Sequence, residues 1–362
     1  MHYQQLQYRE KAMSKLKVAV IGSGQVARTS HINHYKSLPD VEVSAVCDVN
    51  PDAAKMAADE FQIPSWYTDA GTMLEEVRPD AVSICVPNKF HCDMTCLCLE
   101  HGCHVLCEKP PAITEEEAEK MRDTARRCGK ILTFGFHFRH AEKIAFLKRK
   151  IEAGEMGTLY AGDVTWLRRR GIPGWGNFTN PEMQGGGPLI DIGAHMLDLA
   201  AWLLDYPEVS YVCASSSDLI GKQGGTGFMG SWDGARFGVE DGLFGFIRFS
   251  NGGSLHIRTS FAVNIADKEE RNVRLYGSKR GFSVFPLGIY GDEDGQQVNA
   301  VYPFDETKDW HYDCIRNFVE SCMGRADILV TPDQAVYVQK LITGLYRSAG
   351  TGRPVIYGNG NL

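Results

Sequence analysis

The stretch KVAVIGSGQVA at residues 17–27 decides the fold of the first half of the chain. Its apolar, β-branched start predicts a buried strand over 17–21, and a glycine turn that opens a helix follows at once. Gly22 permits the tight turn, Gly24 lets the backbone approach a pyrophosphate, and the small Ala27 allows close helix packing. The predicted dinucleotide-binding residues here are Gly22, Gly24, Gln25, Val26 and Ala27. An ordinary glycine turn is the alternative.

A second signal for a nucleotide cofactor is Asp48, at the end of the predicted strand 41–49. An acidic side chain at this distance after the glycine turn accepts hydrogen bonds from ribose hydroxyls. The same carboxylate repels the 2′-phosphate of NADP, so the sequence favours NAD over NADP. A solvated aspartate in a turn is the alternative interpretation.

The rest of the first half alternates between strand-like and helix-like segments. Apolar runs follow at 81–86, 104–107 and 131–136, and helix-like stretches lie at 51–60, 70–77, 89–101 and 114–128. Thr114 and Glu117 resemble a capping box that opens the last of these helices. Such alternation predicts a parallel sheet covered on both faces. We therefore expect a Rossmann domain over 17–138, preceded by a frayed extension at 1–16.

After residue 138 the pattern changes to mainly β. One helix-like segment at 141–153 precedes long β-rich runs at 157–170, 209–217, 239–249, 253–264 and 271–284. The turn at 250–253 is typical of a hairpin. Residues 139–330 are therefore predicted to form an α+β domain with an open, mainly antiparallel sheet, helices on one face, and a helix at 311–322. Residues 331–362 are expected to be a C-terminal helix and tail that return to the Rossmann domain.

Composition excludes several classes of protein. With 362 residues, two domains of ordinary size are expected. The net charge of −7 leaves no basic stripe for nucleic acid, and no apolar run is long enough to span a membrane, so we expect a cytoplasmic protein.

Eleven cysteines raise the question of a metal site, because six of them lie within 85–107. No pair has the spacing of a zinc knuckle. We therefore predict reduced thiols that fill small apolar gaps and no metal, with a metal cluster as the alternative.

Two further strand ends carry polar residues. Pro87, Asn88 and His91 follow one strand, and Glu108 and Lys109 follow the next. The carboxyl ends of parallel strands form the ligand-binding edge of an open sheet, so all five are predicted to line the cofactor site, with Lys109 beside the nicotinamide.

Asp191 and His195 lie farther along the chain, at the start of an apolar helix. Their spacing of four residues puts a carboxylate and an imidazole on one helix face, where they can share a substrate hydroxyl or orient each other. A capping or packing histidine is the alternative.

Taken together, these motifs resemble the glucose-fructose oxidoreductase, inositol dehydrogenase and rhizopine-catabolism family, Gfo/Idh/MocA. The likeness covers about 17–355 and rests on four motifs in the family's order. They are AVIGSGQVA at 19–27, CVPNKFH at 85–91, CEKP at 107–110 and GGGPLIDIGAHMLDLAAWLL at 185–204. The resemblance implies a Rossmann domain followed by an α+β domain whose exposed sheet face serves in a homodimer or homotetramer.

The resemblance also implies roles for individual residues. Lys109, Asp191 and His195 match the family's catalytic positions: His195 exchanges a proton with the substrate hydroxyl, Lys109 positions and polarises that hydroxyl, and Asp191 orients both. It further suggests a cis peptide bond before Pro110.

The segment 166–178 has no counterpart that identifies a substrate. Arg168 and Arg170 are expected to share a strand face, and Trp175 to stack on a sugar ring or wall the nicotinamide, so all three are candidate substrate-binding residues together with Asp191 and His195. A charged outer sheet face and a packed loop tryptophan are the alternative.

The function predicted from the sequence is NAD-dependent hydride transfer to or from a secondary hydroxyl of a sugar, sugar derivative or cyclitol. Two other enzymatic activities are consistent with the same residues, namely redox-neutral cleavage of a glycosidic bond and oxidation of acidic sugars such as uronates. A cofactor-binding sensor without catalysis is a further class, which the presence of Lys109, Asp191 and His195 together disfavours.

Overall fold

A computed structural model of the protein describes residues 15–305 and 307–358. Most of the extension predicted at 1–16 lies outside this part of the chain. Its last residue, Leu16, already belongs to the first strand and is buried.

The first half of the chain forms a six-stranded, fully parallel sheet in the order β3-β2-β1-β4-β5-β6. The strands are β1 Leu16–Ile21, β2 Val41–Cys47, β3 Ser65–Tyr67, β4 Ala81–Ile84, β5 His104–Cys107 and β6 Leu132–Phe134. This order reverses direction between β1 and β4, which opens a crevice at the carboxyl ends of those strands. The predicted Rossmann sheet is confirmed.

Helices connect these strands on both faces of the sheet. They are α1, a π-helix at Ala27–Ile32 continued by an α-helix at Asn33–Ser37, then α2 Pro51–Phe61, α3 Ala70–Val77, α4 His91–Glu100 and α5 Glu115–Cys128. The Thr114 hydroxyl caps α5 by accepting the Glu117 N–H at 3.2 Å. The Glu117 carboxylate in turn accepts the N–H of Ile113, not that of the cap residue itself.

The second half is built on a nine-stranded sheet in the order β16-β15-β14-β13-β7-β12-β11-β8-β17. The strands are β7 Leu159–Arg168, β8 Val209–Ser217, β11 Gly242–Phe249, β12 Ser254–Ser260, β13 Glu269–Gly277, β14 Arg280–Val284, β15 Leu287–Glu293, β16 Gln296–Val301 and β17 Val355–Ile356. A separate two-stranded hairpin consists of β9 Gly225–Gly227 and β10 Gly230–Trp232.

Within the nine-stranded sheet, every neighbouring pair is antiparallel except β7 with β12. The predicted hairpin turn at 250–253 joins β11 to β12. Strands β15 and β16 were not predicted, because their sequences are rich in glycine and polar residues and half exposed, so apolar alternation is weak. The open, mainly antiparallel sheet is confirmed.

The helices of the second half are α6 Glu142–Glu152, α7 Pro181–Gln184, α8, which begins as a π-helix at Leu189–Gly193 and continues at Ala194–Leu203, α9 Trp310–Cys322 and α10 Pro332–Thr351. Of these, α8 and α10 pack against one face of the nine-stranded sheet. The opposite face leaves Phe244, Tyr276 and Tyr290 partly exposed. None of the helices in the described ranges has the length and apolar character needed to cross a lipid bilayer.

The chain crosses between the two domains more often than the predicted boundaries imply. Ile315 and Phe318 of α9 pack into the core formed by β1, β2 and α1, so α9 covers the Rossmann sheet although it lies before residue 330. The next helix, α10, reaches α5 through an ion pair of Asp333 with Arg126, and Leu345 packs at Gly245 of the second sheet. The tail strand β17 pairs with β8, hence with the second sheet.

Candidate active site

The glycine turn after β1 has the geometry that a dinucleotide pyrophosphate needs. Gly22 has φ +92°, and a Cβ atom there would lie 2.3 Å from the carbonyl oxygen of Cys85, so only glycine fits. Gly24 instead borders open space, because no heavy atom of the described residues lies within 4 Å of the position that a Cβ atom would take there. The turn is therefore closed toward β4 and open outward, at the amino-terminal end of α1.

The following residues anchor α1 to the sheet. Gln25 and Val26 form its first turn, and the Gln25 carbonyl accepts the hydroxyl of Thr29 at 2.9 Å. Ala27 is fully buried against the sheet. Residues Gly22 to Ala27 thus fit the pyrophosphate of NAD, whereas a larger side chain at Gly22 would fill the turn itself.

Asp48 follows β2 and holds the glycine turn in shape. Its Oδ2 accepts both the N–H and the hydroxyl of Ser23 at 2.8 Å, and its Oδ1 accepts the N–H of Asn50 at 2.9 Å. An ionised carboxylate has about four acceptor positions, so capacity for a ribose hydroxyl remains after these three bonds. Asp48 can therefore serve both the turn and a ribose.

The loop after β4 joins the two domains at the edge of the crevice. Pro87 precedes a short 3₁₀ helix over Asn88–Phe90, and the buried Asn88 amide donates to the carbonyl of Gln184 at 2.9 Å. His91 is buried below, with Nδ1 2.7 Å from the carbonyl of Pro110 and Nε2 3.0 Å from that of Val86. Its position ties the ends of β4 and β5 together, and burial lowers its pKa.

Glu108, at the end of β5, points into the protein. Its Oε1 lies 2.8 Å from Nε2 of His31 on α1, and its Oε2 accepts the backbone N–H of Lys109 at 3.2 Å. Burial alone would raise the pKa of Glu108, but the hydrogen bond and charge of His31 lower it to about 2. Glu108 is therefore an ionised buried group that joins β5 to α1 behind the crevice.

Lys109 and Asp191 meet across the domain junction. The Lys109 ammonium donates to Oδ1 of Asp191 at 2.7 Å and lies 3.2 Å from the Asp191 carbonyl, with both side chains mostly buried. Lys109 precedes a cis peptide bond to Pro110, as the family resemblance suggested. Asp191 lies in the π-helical start of α8, and its carboxylate contacts Lys109. Among the described residues Asp191 forms no hydrogen bond to His195.

His195 lies on the same helix and is almost fully buried. Its Nδ1 has no hydrogen-bond partner within the described part of the chain. Burial lowers the pKa of His195 well below its ordinary value of 6.5. Nearby charged or titratable groups lower it further, namely Lys109, His137, His311 and Arg271. The ring is therefore neutral at neutral pH and can accept a proton.

Arg168 and Arg170 do not share a strand face, because β7 ends at Arg168. Arg168 is buried, with its guanidinium 5.3 Å from the ring of Trp166 and its Nε 3.5 Å from the Glu269 carboxylate. Arg170 lies beyond the strand and donates to the side chain of Asn264 at 2.9 Å. The two arginines therefore face different surroundings.

Trp175 lies on the loop beyond these arginines and is about half exposed, at 47%. Its ring contacts that of Phe178 edge-on, at 6.4 Å between ring centroids. A half-exposed indole is flat and apolar, and such a ring can receive the C–H face of a sugar.

Sequence reasoning missed two histidines near His195. The ring of His137, in the loop after β6, lies 4.8 Å from that of His195, and His311 of α9 stacks on His137. His137 follows a strand at the same carboxyl edge as Lys109, and that position was the signal that could have identified it. His311 gave no such signal, because α9 reaches the site only through tertiary packing.

The cysteines occur as separate thiols in the part of the chain that the structure describes. All eleven are free thiols, eight of them buried, and the residues that the structure describes contain no group of three or more ligands able to hold a metal ion.

Comparison with known proteins agrees with this architecture. Residues 16–136 match the oxidoreductase family with an NAD-binding Rossmann fold, and residues 148–356 match the C-terminal alpha/beta domain of the same family. The chain is 44% identical to D-glucoside 3-dehydrogenase from Escherichia coli K12 over 342 residues, which is 94% of this chain and 97% of that protein.

Solved structures share the fold across nearly the whole chain. An oxidoreductase domain protein from Kribbella flavida aligns over 96% of this chain and 100% of its own, with a TM-score of 0.82 and 20% identity. Levoglucosan dehydrogenase in complex with NADH and levoglucosan aligns over 95% of this chain and 99% of its own, with a TM-score of 0.81 and 19% identity. At these identities the likeness concerns the fold alone. The two family matches, which together cover most of the chain, establish that this protein belongs to the Gfo/Idh/MocA family of NAD-binding oxidoreductases.

Proposed function

We propose that the protein oxidises a secondary ring hydroxyl of a D-glucoside with NAD, and that the hydroxyl is the one at C3. The observation that carries the proposal is the convergence of Lys109, Asp191 and His195 at the carboxyl edge of the Rossmann sheet. The relative that supports the choice of substrate and carbon is D-glucoside 3-dehydrogenase, which matches the chain over almost its entire length.

Each of the three residues has one role in this reaction. NAD, when bound, supplies the hydride acceptor. Neutral His195 takes the proton of the substrate hydroxyl, since its lowered pKa keeps the ring unprotonated at neutral pH. Lys109 donates a hydrogen bond to the same oxygen and stabilises the negative charge that develops there. Asp191 holds the ammonium in position through the 2.7 Å ion pair.

The surroundings favour a neutral sugar ring over an acidic one. A carboxylate substrate calls for a guanidinium fork that is available for two parallel hydrogen bonds. Arg168 instead lies against Trp166 and near Glu269, and Arg170 donates to Asn264. Trp175 provides a half-exposed aromatic face for a ring.

The direct test is NAD reduction by purified protein with a matched panel of substrates. We expect the highest kcat/KM with a methyl D-glucoside, lower values with myo-inositol and glucuronate, and almost none with lactate or propanol. The 3-deoxy glucoside should be inactive, and NMR of the product should show a ketone at C3. His195→Asn is the matched inactive variant.

Three results would contradict parts of the proposal. Oxidation at another carbon would contradict the assignment of the reaction to C3. A preference for lactate would contradict the proposal of a sugar substrate. Bond cleavage without net NADH formation would instead identify the redox-neutral activity.

We further propose that two or four copies assemble through the open face of the second sheet. This face carries Phe244, Tyr276 and Tyr290, and its outer layer also includes the Phe246–His256 contact at 5.2 Å between ring centroids. Sedimentation of the wild type and of Phe244→Glu would test it, with a monomeric variant as the expected result.

The eleven free thiols also support a reducing compartment, and on that basis we propose a cytoplasmic location. Fractionation of cells that express the protein would test this, and recovery outside the cytoplasm would contradict it.

A further inference from the structure

Three histidine rings contact one another in the order His195, His137, His311, and this series is called the line below. The ring of His137 packs edge-on against that of His195, with centroids 4.8 Å apart and planes at 64°. His137 is stacked on His311, with centroids 3.7 Å apart and planes at 28°. The three residues belong to α8, to the loop after β6 and to the first turn of α9, so tertiary packing alone brings them together.

The line continues to the protein surface. Nδ1 of His311 lies 3.5 Å from one carboxylate oxygen of Asp309, the N-cap residue of α9, and the other oxygen lies 2.9 Å from Nε2 of His34 on α1. Exposure rises in the same direction: His195 is 6% exposed, the His311 side chain 33% and the Asp309 side chain 53%. The buried His195 is thus followed toward the surface by side chains that are in contact and can each bind a proton.

A buried ion pair fixes the inner part of this line. Arg139, two residues after His137, donates from Nε to Oδ2 of Asp198 at 2.8 Å, and Asp198 lies three residues after His195. Both side chains of the pair are buried. The pair therefore holds the loop after β6 against α8 and keeps the two rings at their spacing.

The charges around the line favour outward movement of a proton. The charge of Lys109 lowers the pKa of both His195 and His137, and that of Arg271 lowers the pKa of His195. The carboxylate of Glu108 acts in the opposite direction on His137 and His311. The pKa of His311 is raised by the carboxylates of Glu108 and Asp309. It is lowered by the nearby rings of His31 and His34. Burial lowers the pKa of all three rings in the line, so each is neutral at neutral pH and a proton on any of them is short-lived.

We propose that the proton taken from the substrate hydroxyl leaves His195 through His137 and His311 and reaches solvent at Asp309. The inference rests on the proposed function. In the oxidation, the C–H bond of the carbinol breaks and its hydride reduces NAD⁺ to NADH. The O–H bond breaks as the C=O bond forms, and the proton passes to a nitrogen of His195 and then along the line to water.

Transfer from ring to ring has a specific requirement, because no hydrogen bond joins these rings among the described residues and Nδ1 of His195 has no partner there. His137 and His311 present ring faces to each other, so transfer between them needs rotation of one ring or a bridging water. Both residues act through His195 and not on the substrate, which means that their loss should slow proton departure without weakening sugar binding.

The test is stopped-flow measurement of two signals in a single turnover at low buffer concentration. NADH absorbance reports hydride transfer, and a pH indicator reports proton release. In the wild type we expect the two to rise together. In His137→Phe and His311→Phe, which keep an aromatic ring in the stack, the rate of proton release should fall by about a hundredfold or more, in the range known for the loss of a proton-transfer group.

Small imidazole buffers should restore the rate of release, and KM for the sugar should stay at its wild-type value. His311→Gln is a second variant that keeps polarity and cannot titrate in this range, and the exposed His101→Phe is the matched control. Melting temperature and NAD affinity establish that each variant is folded.

Two results would overturn the route. One is proton release that keeps pace with NADH formation in both Phe variants, and the other is a loss of both signals that imidazole does not restore. A wild type that forms no NADH with any glucoside would instead contradict the proposed function, so the two failures are distinguishable.

Discussion

Replacing Lys109 by Met should lower turnover strongly while leaving NAD binding nearly unchanged. The ammonium lies 2.7 Å from Asp191 and, in the proposed reaction, donates to the oxygen on which charge develops. Loss of one such donor costs about 2.7–4 kcal/mol of transition-state stabilisation, or ~10² to 10³-fold in kcat. Met keeps the length of the side chain, so the loss measures the charge and its hydrogen bonds rather than packing.

The structure adds a second effect of the same substitution. Lys109 is one of the groups that lower the pKa of His195, so its removal should raise that pKa. The catalytic form of His195 is the neutral ring, which is lost as the pH falls through the pKa. The acid limb of kcat/KM should therefore move to higher pH in Lys109→Met than in the wild type.

The assay is steady-state kinetics with the preferred glucoside across a pH series, together with calorimetric titration of NAD. Lys222→Met, at an exposed ion pair with Asp218, is the matched control and should behave like the wild type. Near-normal turnover in Lys109→Met would refute the assigned role. An unchanged acid limb with lowered turnover would show that Lys109 acts on the substrate but not on His195.

Three other predictions follow from the geometry. His195→Ala should remove the acid limb of the pH profile of kcat/KM. In the wild type this limb should lie below pH 6.5, because burial lowers the pKa of His195. A limb that persists in the variant would assign proton transfer to another group. Asp48→Asn should reduce the ratio of kcat/KM for NAD to that for NADP by about tenfold or more, since one repulsion between the carboxylate and the 2′-phosphate of NADP near the surface is worth ~1–4 kcal/mol. Equal use of both cofactors by the wild type would contradict the ribose assignment. Arg139→Met should lower the free energy of unfolding by about 3–5 kcal/mol, because it leaves Asp198 charged and buried. Arg126→Met, at an exposed ion pair, should lower it by at most about 1 kcal/mol. Similar losses for the two variants in urea denaturation would contradict this difference between buried and exposed pairs.

Much of the fold could be predicted because its signals are local. The strand, glycine turn and helix at 17–37 are specified by adjacent residues, and the Thr114 cap and the 250–253 hairpin turn depend on short-range hydrogen bonds. Strands β15 and β16 lacked such a signal, since half-exposed polar strands do not show the alternation that a buried face imposes.

The candidate site was predictable to the extent that its residues follow strands of the parallel sheet. Lys109 could be placed at the crevice from its position after β5, and the approach of Asp191 followed from the family resemblance. The orientation of Glu108 could not be predicted, because its partner His31 lies 77 residues earlier in the chain, on another helix. The sequence predicts a common face for Arg168 and Arg170 because its β-rich run continues to residue 170, whereas β7 ends at Arg168.

The sequence by itself determined the Rossmann order of secondary structure, the cofactor turn and the identity of the polar groups at the strand ends, because apolar periodicity and glycine positions act over a few residues. Tertiary structure alone decided which of these groups meet. His137, His195 and His311 come from three elements separated by more than 50 residues, and only the docking of α8 and α9 on the Rossmann domain brings their rings into contact. That docking depends on buried surfaces and on the Arg139–Asp198 ion pair, which pattern analysis of one segment does not detect.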